Sequence, residues 1–555
     1  MPGRRDFLQA AGTAAVSLAA SREARADVLE AAASDVVTPY FGRKPAARGA
    51  NGMAITSNPH ASQAAIDLLK AGGNACDAAL CASAVQTVTE PHMTTITGML
   101  SMLYFEASSG KLSYLNGGMN APLAPLPGFS PGDLARGRGA GVPGWWSGFE
   151  AAHTRFGTRP RTEVMRAAIR YAREGFPIYP FLYAEMFAQL DTIGMTPTGR
   201  SIYMPQGALL PPGSILRQPE AADTLEALAS AGSAFWTGEF ARAYSQAVKE
   251  AGGVITPEDF ERYRVRWVEP AHSTYRGYDV YGSPPPDNGG THVIESLNML
   301  ELLDLQRMGP PTASGETLYW MNRIVNEAFT EGGKHTDPAT HDVPIDFIVS
   351  KEYAAMRLKM MRMTPPKAPS PAPPPGSNHV TVVDGRGNVA TILHSVMSLP
   401  WQNGLFAKGV SIAASGAHFF RIMPLPGERA TVYVAPTIIM KGGKPVLAAG
   451  SPSVGLLQNI VQNTVNILDF GVPIEESVLR PRFGGPSTTV PGANYIEVDM
   501  DPKVRDAAEK LGARWFVTSP WHFMNGTYEG IHIDPASRMA TASADPRRCG
   551  MAFAV

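Results

Sequence analysis

A proline-rich run, Pro365 to Gly376 (PPKAPSPAPPPG), divides this chain into two stretches of different texture. Proline fixes φ and lacks a backbone N–H, so the run can be neither helix nor central strand. Before it, from about Pro143 to Leu305, helical patterns dominate, cut by turns such as Pro284 to Gly290 (PPPDNGG). Earlier still, Ser62–Ala71 and Asp77–Val88 read as helices, and Leu100–Glu106 with Lys111–Asn116 as a hairpin. After the run, the pattern turns to strands. His379–Asp384 and Val389–Ser395 bracket Gly385-Arg386-Gly387-Asn388 and predict a second hairpin. Thr431–Val434, Thr437–Lys441 and Pro445–Ala449 read as strands, followed by helices at Val454–Phe470 and Pro502–Leu511. Strands around Ile531–Asp534 and Met539–Ser543 complete the series. This alternation fits an α/β (α+β) body, a sheet pair covered by helices on its outer faces.

Composition narrows the function classes. The 555 residues carry a formal charge of -1, which leaves no electrostatic footprint for nucleic acid or an acidic membrane surface. Cys76 and Cys81 lie five apart in one predicted helix and point away from each other, so the three cysteines read as small buried residues. Gly3-Arg4-Arg5-Asp6-Phe7-Leu8, a short apolar run to Ala20 and Ala24-Arg25-Ala26 resemble a twin-arginine export signal over residues 1–26. A periplasmic or secreted protein starting near Asp27 is expected, with no later run apolar enough to span a membrane. His335 and His341, with Asp337 and Asp342 nearby, lack metal-ligand spacing, and neither a GxGxxG after a strand nor a P-loop lysine motif appears. Neither a metal nor another cofactor is expected.

The chemistry gathers where the prolines end. Pro375-Gly376-Ser377-Asn378-His379 delivers a Gly-Ser peptide bond to the start of a strand. Gly376 leaves its carbonyl unshielded. The Ser377 hydroxyl can attack that carbonyl, shift the acyl group from nitrogen to oxygen and release a new amino terminus once water cleaves the ester. Ser377 then owns a hydroxyl nucleophile and an α-amine base, whose ordinary pKa near 7.7–8.0 leaves part of it neutral at working pH.

The surrounding motifs resemble the gamma-glutamyltranspeptidase family of N-terminal-nucleophile hydrolases. Gly72 to Ala79 resembles its GGNAxDAA segment, Glu90-Pro91-His92-Met93 its EPxx turn, Gly141-Val142-Pro143-Gly144 its GVPG, and Pro284 to Gly290 its PPPxSGG. His379 to Asp384 with Gly387-Asn388 matches the strand and turn after its processing site. Gly450-Ser451-Pro452, Arg480 to Phe483 and Asp545 to Arg548 match its late signatures in order. The resemblance implies a four-layer αββα sandwich and a precursor cut between Gly376 and Ser377. The products would be a large subunit (27–376) and a small subunit (377–555), held as a heterodimer. It also implies Ser377 as nucleophile where the family has Thr, Ser395 as the supporting hydroxyl, and backbone N–H groups of Ser453 and Val454 as the oxyanion hole.

The family's glutamyl-binding residues are not kept. The register puts Gly118 where its carboxylate-gripping Arg falls, Met397 at its Asn, Ala417 or His418 at its Asp, and Val432-Tyr433 at its Ser pair. Loss of several charged partners disfavours a zwitterionic glutamyl donor. Asn120, Met397, His418 and Arg421 are the candidate acyl-pocket residues, with Arg421 as replacement cation. The expected partner is a small-molecule amide or peptide-like substrate with a smaller or partly apolar acyl group. The competing readings are a true gamma-glutamyltransferase or glutathione hydrolase, and a non-catalytic exported binding protein on the same scaffold.

Overall fold

Strands Met99–Glu106 and Val389–Ser395 are buried along almost their whole length, on both faces. Only a sheet covered on each side permits that. The computed structural model describes residues 38–332, 336–366, 376–452 and 454–555. Within it these strands lie inside a seven-stranded sheet in the order Met551–Ala554, Gly52–Thr56, Ser377–Asp384, Val389–Ser395, Met99–Glu106, Lys111–Gly117, Arg266–Val268. A second seven-stranded sheet runs Ala47–Gly49, Ala540–Ala542, Ile531–Ile533, Lys444–Ala449, Thr437–Lys441, Tyr278–Gly282, Ala271–Tyr275. Every pairing in both is antiparallel.

The sheets stack through Ile55, Leu103 and Val383 on one side and Ile438, Ala448 and Ile531 on the other. The helices Pro59–Lys70, Ala75–Thr89 and Trp145–Phe156 cover the first sheet. Gly289–Glu301 and Leu456–Leu468 lie over the second. This is the αββα sandwich expected from the sequence. Each sheet combines strands from before and after the Gly376–Ser377 bond.

Most local expectations hold to within a residue or two. The helix read from Asp77 begins at Ala75, because Asn74 and Asp77 form a capping box: Asn74 Oδ1 accepts the Asp77 N–H at 2.9 Å and Asp77 Oδ2 the Asn74 N–H at 3.1 Å. Cys76, Cys81 and Cys549 are free and buried. Two expectations need correction. Thr431–Val434 is not a strand, since the Val432 N–H and C=O are taken by Pro286 O (2.9 Å) and Asn288 N (2.7 Å) of the PPPDNGG turn. The stretch read as helical up to Leu305 holds three strands of 3 to 5 residues between Arg266 and Gly282. The segment 1–26, most of the proline run (367–375), His335 and Ser453 lie outside the described residues. No described helix is long and apolar enough to cross a membrane.

Candidate active site

The tight turn at Asp384–Asn388 fixes the hairpin register, and with it the site. Asp384 Oδ1 accepts the N–H groups of Arg386 (2.9 Å) and Asn388 (3.0 Å), closing the loop. Counting back along the two strands pairs Val383 with Val389 and, at the far end, Ser377 with Ser395. Side chains alternate across a strand. Val383 faces the second sheet, so Ser377, His379 and Thr381 do too, whereas Asn378, Val380 and Val382 face the helices. Ser377 and Ser395 therefore meet at the end of the inter-sheet space.

Their hydroxyls touch. Ser377 Oγ donates to Ser395 Oγ at 3.1 Å. Ser395 Oγ in turn donates to the carbonyl oxygen of Gly376 and accepts the Met397 N–H at 2.8 Å. One hydroxyl thus bridges the nucleophile candidate and the carbonyl it would attack. Gly376 is buried, and a Cβ there would stand 2.3 Å from Ser398 O and 2.7 Å from Val396 Cγ2. Glycine is required by space alone.

The motifs singled out in the sequence hold this pair. Arg548, from the Asp545–Arg548 signature, donates Nη1 to Ser377 O (2.9 Å) and Nη2 to Asn378 Oδ1 (2.7 Å) and Glu90 Oε1 (3.0 Å). Burial pushes the Glu90 carboxyl up, opposed by the Arg548 charge. In the same Glu90–Met93 turn, Met93 O accepts the Val396 N–H at 3.1 Å. Gly98 O accepts the Gly144 N–H of the GVPG segment at 3.0 Å, and a Cβ on Gly98 would lie 2.0 Å from Ser395 O. Gly450 of the Gly-Ser-Pro loop lies against the His379 ring, where a Cβ would come within 2.0 Å of Cε1. Glu90, Asn378 and Arg548 were not singled out from sequence as site residues. Arg548 lies inside a recognised motif, but its partners are far away in the chain.

Among the described residues, no nearby imidazole is placed as a base. His379 Nε2 bonds the Thr381 and Thr391 hydroxyls at 3.1 and 2.8 Å, and burial holds its pKa down to about 3. His394 points to the helix layer, bonding Ser83, Thr94 and Gln86, and burial likewise holds it to about 3. Among the described residues, Ser377 Oγ has Ser395 as its side-chain partner.

The candidate acyl-pocket residues separate into two groups. Met397, in left-handed backbone at φ 57°, is buried in an apolar cluster with Leu393, Phe419 and Val432, beside the serine pair. His418 and Arg421 flank Phe419 on the Ser415–Phe420 turn and the residue after it. The Arg421 guanidinium lies over the Tyr433 ring at 4.0 Å and the Phe329 ring at 4.4 Å, and burial lowers its pKa. Burial and Arg421 together hold His418 at about 3. Asn120 is placed differently from expectation. Its Oδ1 accepts from Arg429 Nε (2.6 Å) and its Nδ2 donates to Gly427 O (3.0 Å), so its amide is spent on the scaffold. Arg429 fills the space beside Gly118, where a Cβ would meet its Cδ at 2.9 Å. Its other donors are committed to Asn116 and to Arg264 O. Val454 is buried, after the Gly-Ser-Pro loop and before the Leu456–Leu468 helix, while Ser453 lies outside the described residues.

The family described as Gamma-glutamyltranspeptidase matches residues 61–555. The chain belongs to this family. Among gamma-glutamyltranspeptidase relatives, Acylase ACY 1 proenzyme of Pseudomonas sp. (strain SE83) is 30% identical, over 80% of this chain and 84% of its own length. The Glutathione hydrolase proenzyme of Bacillus subtilis (strain 168) is 26% identical over 91% of this chain and 92% of its own. Cephalosporin acylase from Bacillus halodurans superposes with a TM-score of 0.81 at 27% identity, covering 94% of this chain and 98% of that one. As a member of the gamma-glutamyltranspeptidase family, the chain is an amide-bond hydrolase or acyltransferase.

Proposed function

We propose that this protein is a self-processing amidohydrolase/acyltransferase whose nucleophile is Ser377 and whose acyl donor is not a γ-glutamyl group. The observation that carries the reading is the Ser395 hydroxyl, bonded at once to Ser377 Oγ and to the Gly376 carbonyl. In the precursor, Ser377 Oγ attacks the Gly376 carbonyl carbon while Ser395 steadies the developing oxyanion. The Oγ proton passes to the Ser377 nitrogen, the C–N bond breaks, and an ester joins Gly376 to Ser377 Oγ. Water hydrolyses that ester, leaving a carboxylate on Gly376 and a free amine on Ser377. The mature cycle repeats this on a substrate. The α-amine takes the Oγ proton as Ser377 attacks the amide carbonyl, then returns it to the leaving amine. Water or an acceptor amine releases the acyl group.

The donor assignment rests on the wall of the site. Where a charged grip would be expected stand Gly118, Met397 and Val432, the last two in one apolar cluster. The Arg429 guanidinium beside Gly118 bonds Asn120, Asn116 and Arg264 O through all three of its nitrogens. Binding a zwitterionic donor there would leave charges unpaired, at about 2–5 kcal/mol each. That some relatives are named acylases agrees with this reading. The same reading takes residues 27–376 and 377–555 as the two subunits, and export through the twin-arginine signal.

Intact-mass analysis and N-terminal sequencing test the mechanism. The smaller fragment is expected to begin Ser-Asn-His, and Ser377→Ala to remain uncut and inactive. A competition between a γ-glutamyl anilide and apolar acyl anilides tests the donor. A γ-glutamyl preference would overturn the donor assignment, and an uncut active chain would overturn the mechanism.

A further inference from the structure

The strand that begins at Ser377 ends, roughly 20 Å away at about 3.3 Å per residue, in a second candidate site. There residues from both sheets line a cavity of about 350 Å³. Phe105, Val383 and Ile533 form its apolar wall, with the small Ala540 beside them on the inter-sheet face. Sandwich interiors are normally packed to crystal density, and a gap of this size is that of a small-molecule pocket.

The mouth carries a definite charge. Arg386 comes from the hairpin turn opposite the nucleophile, Lys444 from the start of the Lys444–Ala449 strand, and Arg538 from the turn before Ala540. Among the described residues, the side chains of Arg386 and Lys444 have no acidic partner, and Arg538 donates only to Gly385 O at 2.9 Å. The two carboxylates at the rim are already occupied. Asp384 accepts from Ala75, Arg386 and Asn388, and Asp534 from the N–H groups of Ala536 (2.7 Å) and Ser537 (3.1 Å). Three cations against two carboxylates leave the lining net positive beside the apolar wall, which matches a ligand with one anionic head and one hydrocarbon tail.

We infer that this cavity is a binding site for an amphipathic monocarboxylate of medium chain length, separate from the catalytic serine. The carboxylate sits among Arg386, Lys444 and Arg538, and the tail enters between the sheets against Phe105, Val383 and Ile533. The inference does not depend on the donor assigned to Ser377.

Isothermal titration of the full chain with sodium decanoate below its micellar range tests the site, with decanol as the uncharged probe. Saturable binding at one site per chain is expected, at least tenfold weaker for decanol. Lys444→Glu and Arg386→Glu, both exposed substitutions, should each weaken decanoate binding at least tenfold while leaving amide hydrolysis and the melting temperature unchanged. Ser377→Ala should bind decanoate as the unaltered chain does. Non-saturable uptake, equal affinity for decanol, indifference to both charge reversals, or loss of binding in Ser377→Ala would each overturn the inference. The last result would place the tail in the catalytic pocket instead.

Discussion

Replacing Ser395 by alanine removes one oxygen and three interactions. The Gly376 carbonyl loses its donor, Ser377 Oγ loses its acceptor, and the Met397 N–H loses its partner inside a buried turn. The first loss bears on rate. Deleting a hydrogen-bond donor that meets a developing oxyanion costs about 2.7–4 kcal/mol, so self-cleavage should slow on the order of 10²–10³-fold. The third bears on stability, because a buried N–H left unpaired costs about 1–3 kcal/mol. The two effects are separable. Purified precursor would be followed by denaturing gel and intact mass for the cleavage half-time, and by urea titration for stability. Ser395→Thr should restore cleavage, since it keeps the hydroxyl. Equal half-times for Ser395→Ala and the unaltered chain would refute the reasoning, whatever happened to stability.

Other perturbations have equally definite outcomes. Gly376→Ala forces a methyl against Ser398 O and Val396, at a cost of about 1–3 kcal/mol, and should slow cleavage about tenfold to a hundredfold on the same gels. Arg548→Met strips the buried Glu90 of its cation and frees the Ser377 carbonyl; a loss of about 3–5 kcal/mol by urea titration and impaired processing are expected. Acid should destabilise the fold through His379, His394 and His418. Each is held neutral near pKa 3 in the folded chain, against an ordinary value near 6.5, so the unfolded chain binds more protons below that value. Their contribution is complete above about pH 6.5 and is lost progressively as pH falls toward 3, by about 1.4 kcal/mol per pH unit for each histidine. Glu529, its carboxyl pushed up by burial, works in the opposite sense, so replacing it by Gln should deepen the net acid loss in urea titrations at pH 5 and 7.

The hairpin around Ser377 was legible because its turn residues and alternating strands determine a register locally, and register determines what faces what. The sandwich followed from the same patterning on a larger scale. What stayed hidden depends on partners distant in sequence. Thr431–Val434 has the composition of a strand, yet its hydrogen bonds go to a turn more than a hundred residues earlier. The strand Ala271–Tyr275 buries only its two end residues fully, so no alternation announces it. Asn120 looked like a free pocket amide, but Arg429, three hundred residues on, takes it. Arg548 was visible as part of a motif, while its contact with the Ser377 carbonyl exists only once the last strand closes the sheet.

The mixing of both halves in each sheet has a consequence for how the molecule would survive the scission proposed at Gly376–Ser377. The bond at Gly376 lies outside every ladder, so hydrolysing it removes no rung from either sheet. The two pieces would stay threaded through one another and should melt together as a single cooperative body. The asymmetry appears only on the way back. The uncut chain regains its fold by a search within one molecule, whereas the cut product must find a second, making renaturation dependent on concentration. Maturation would leave the folded state intact while making the return to it harder.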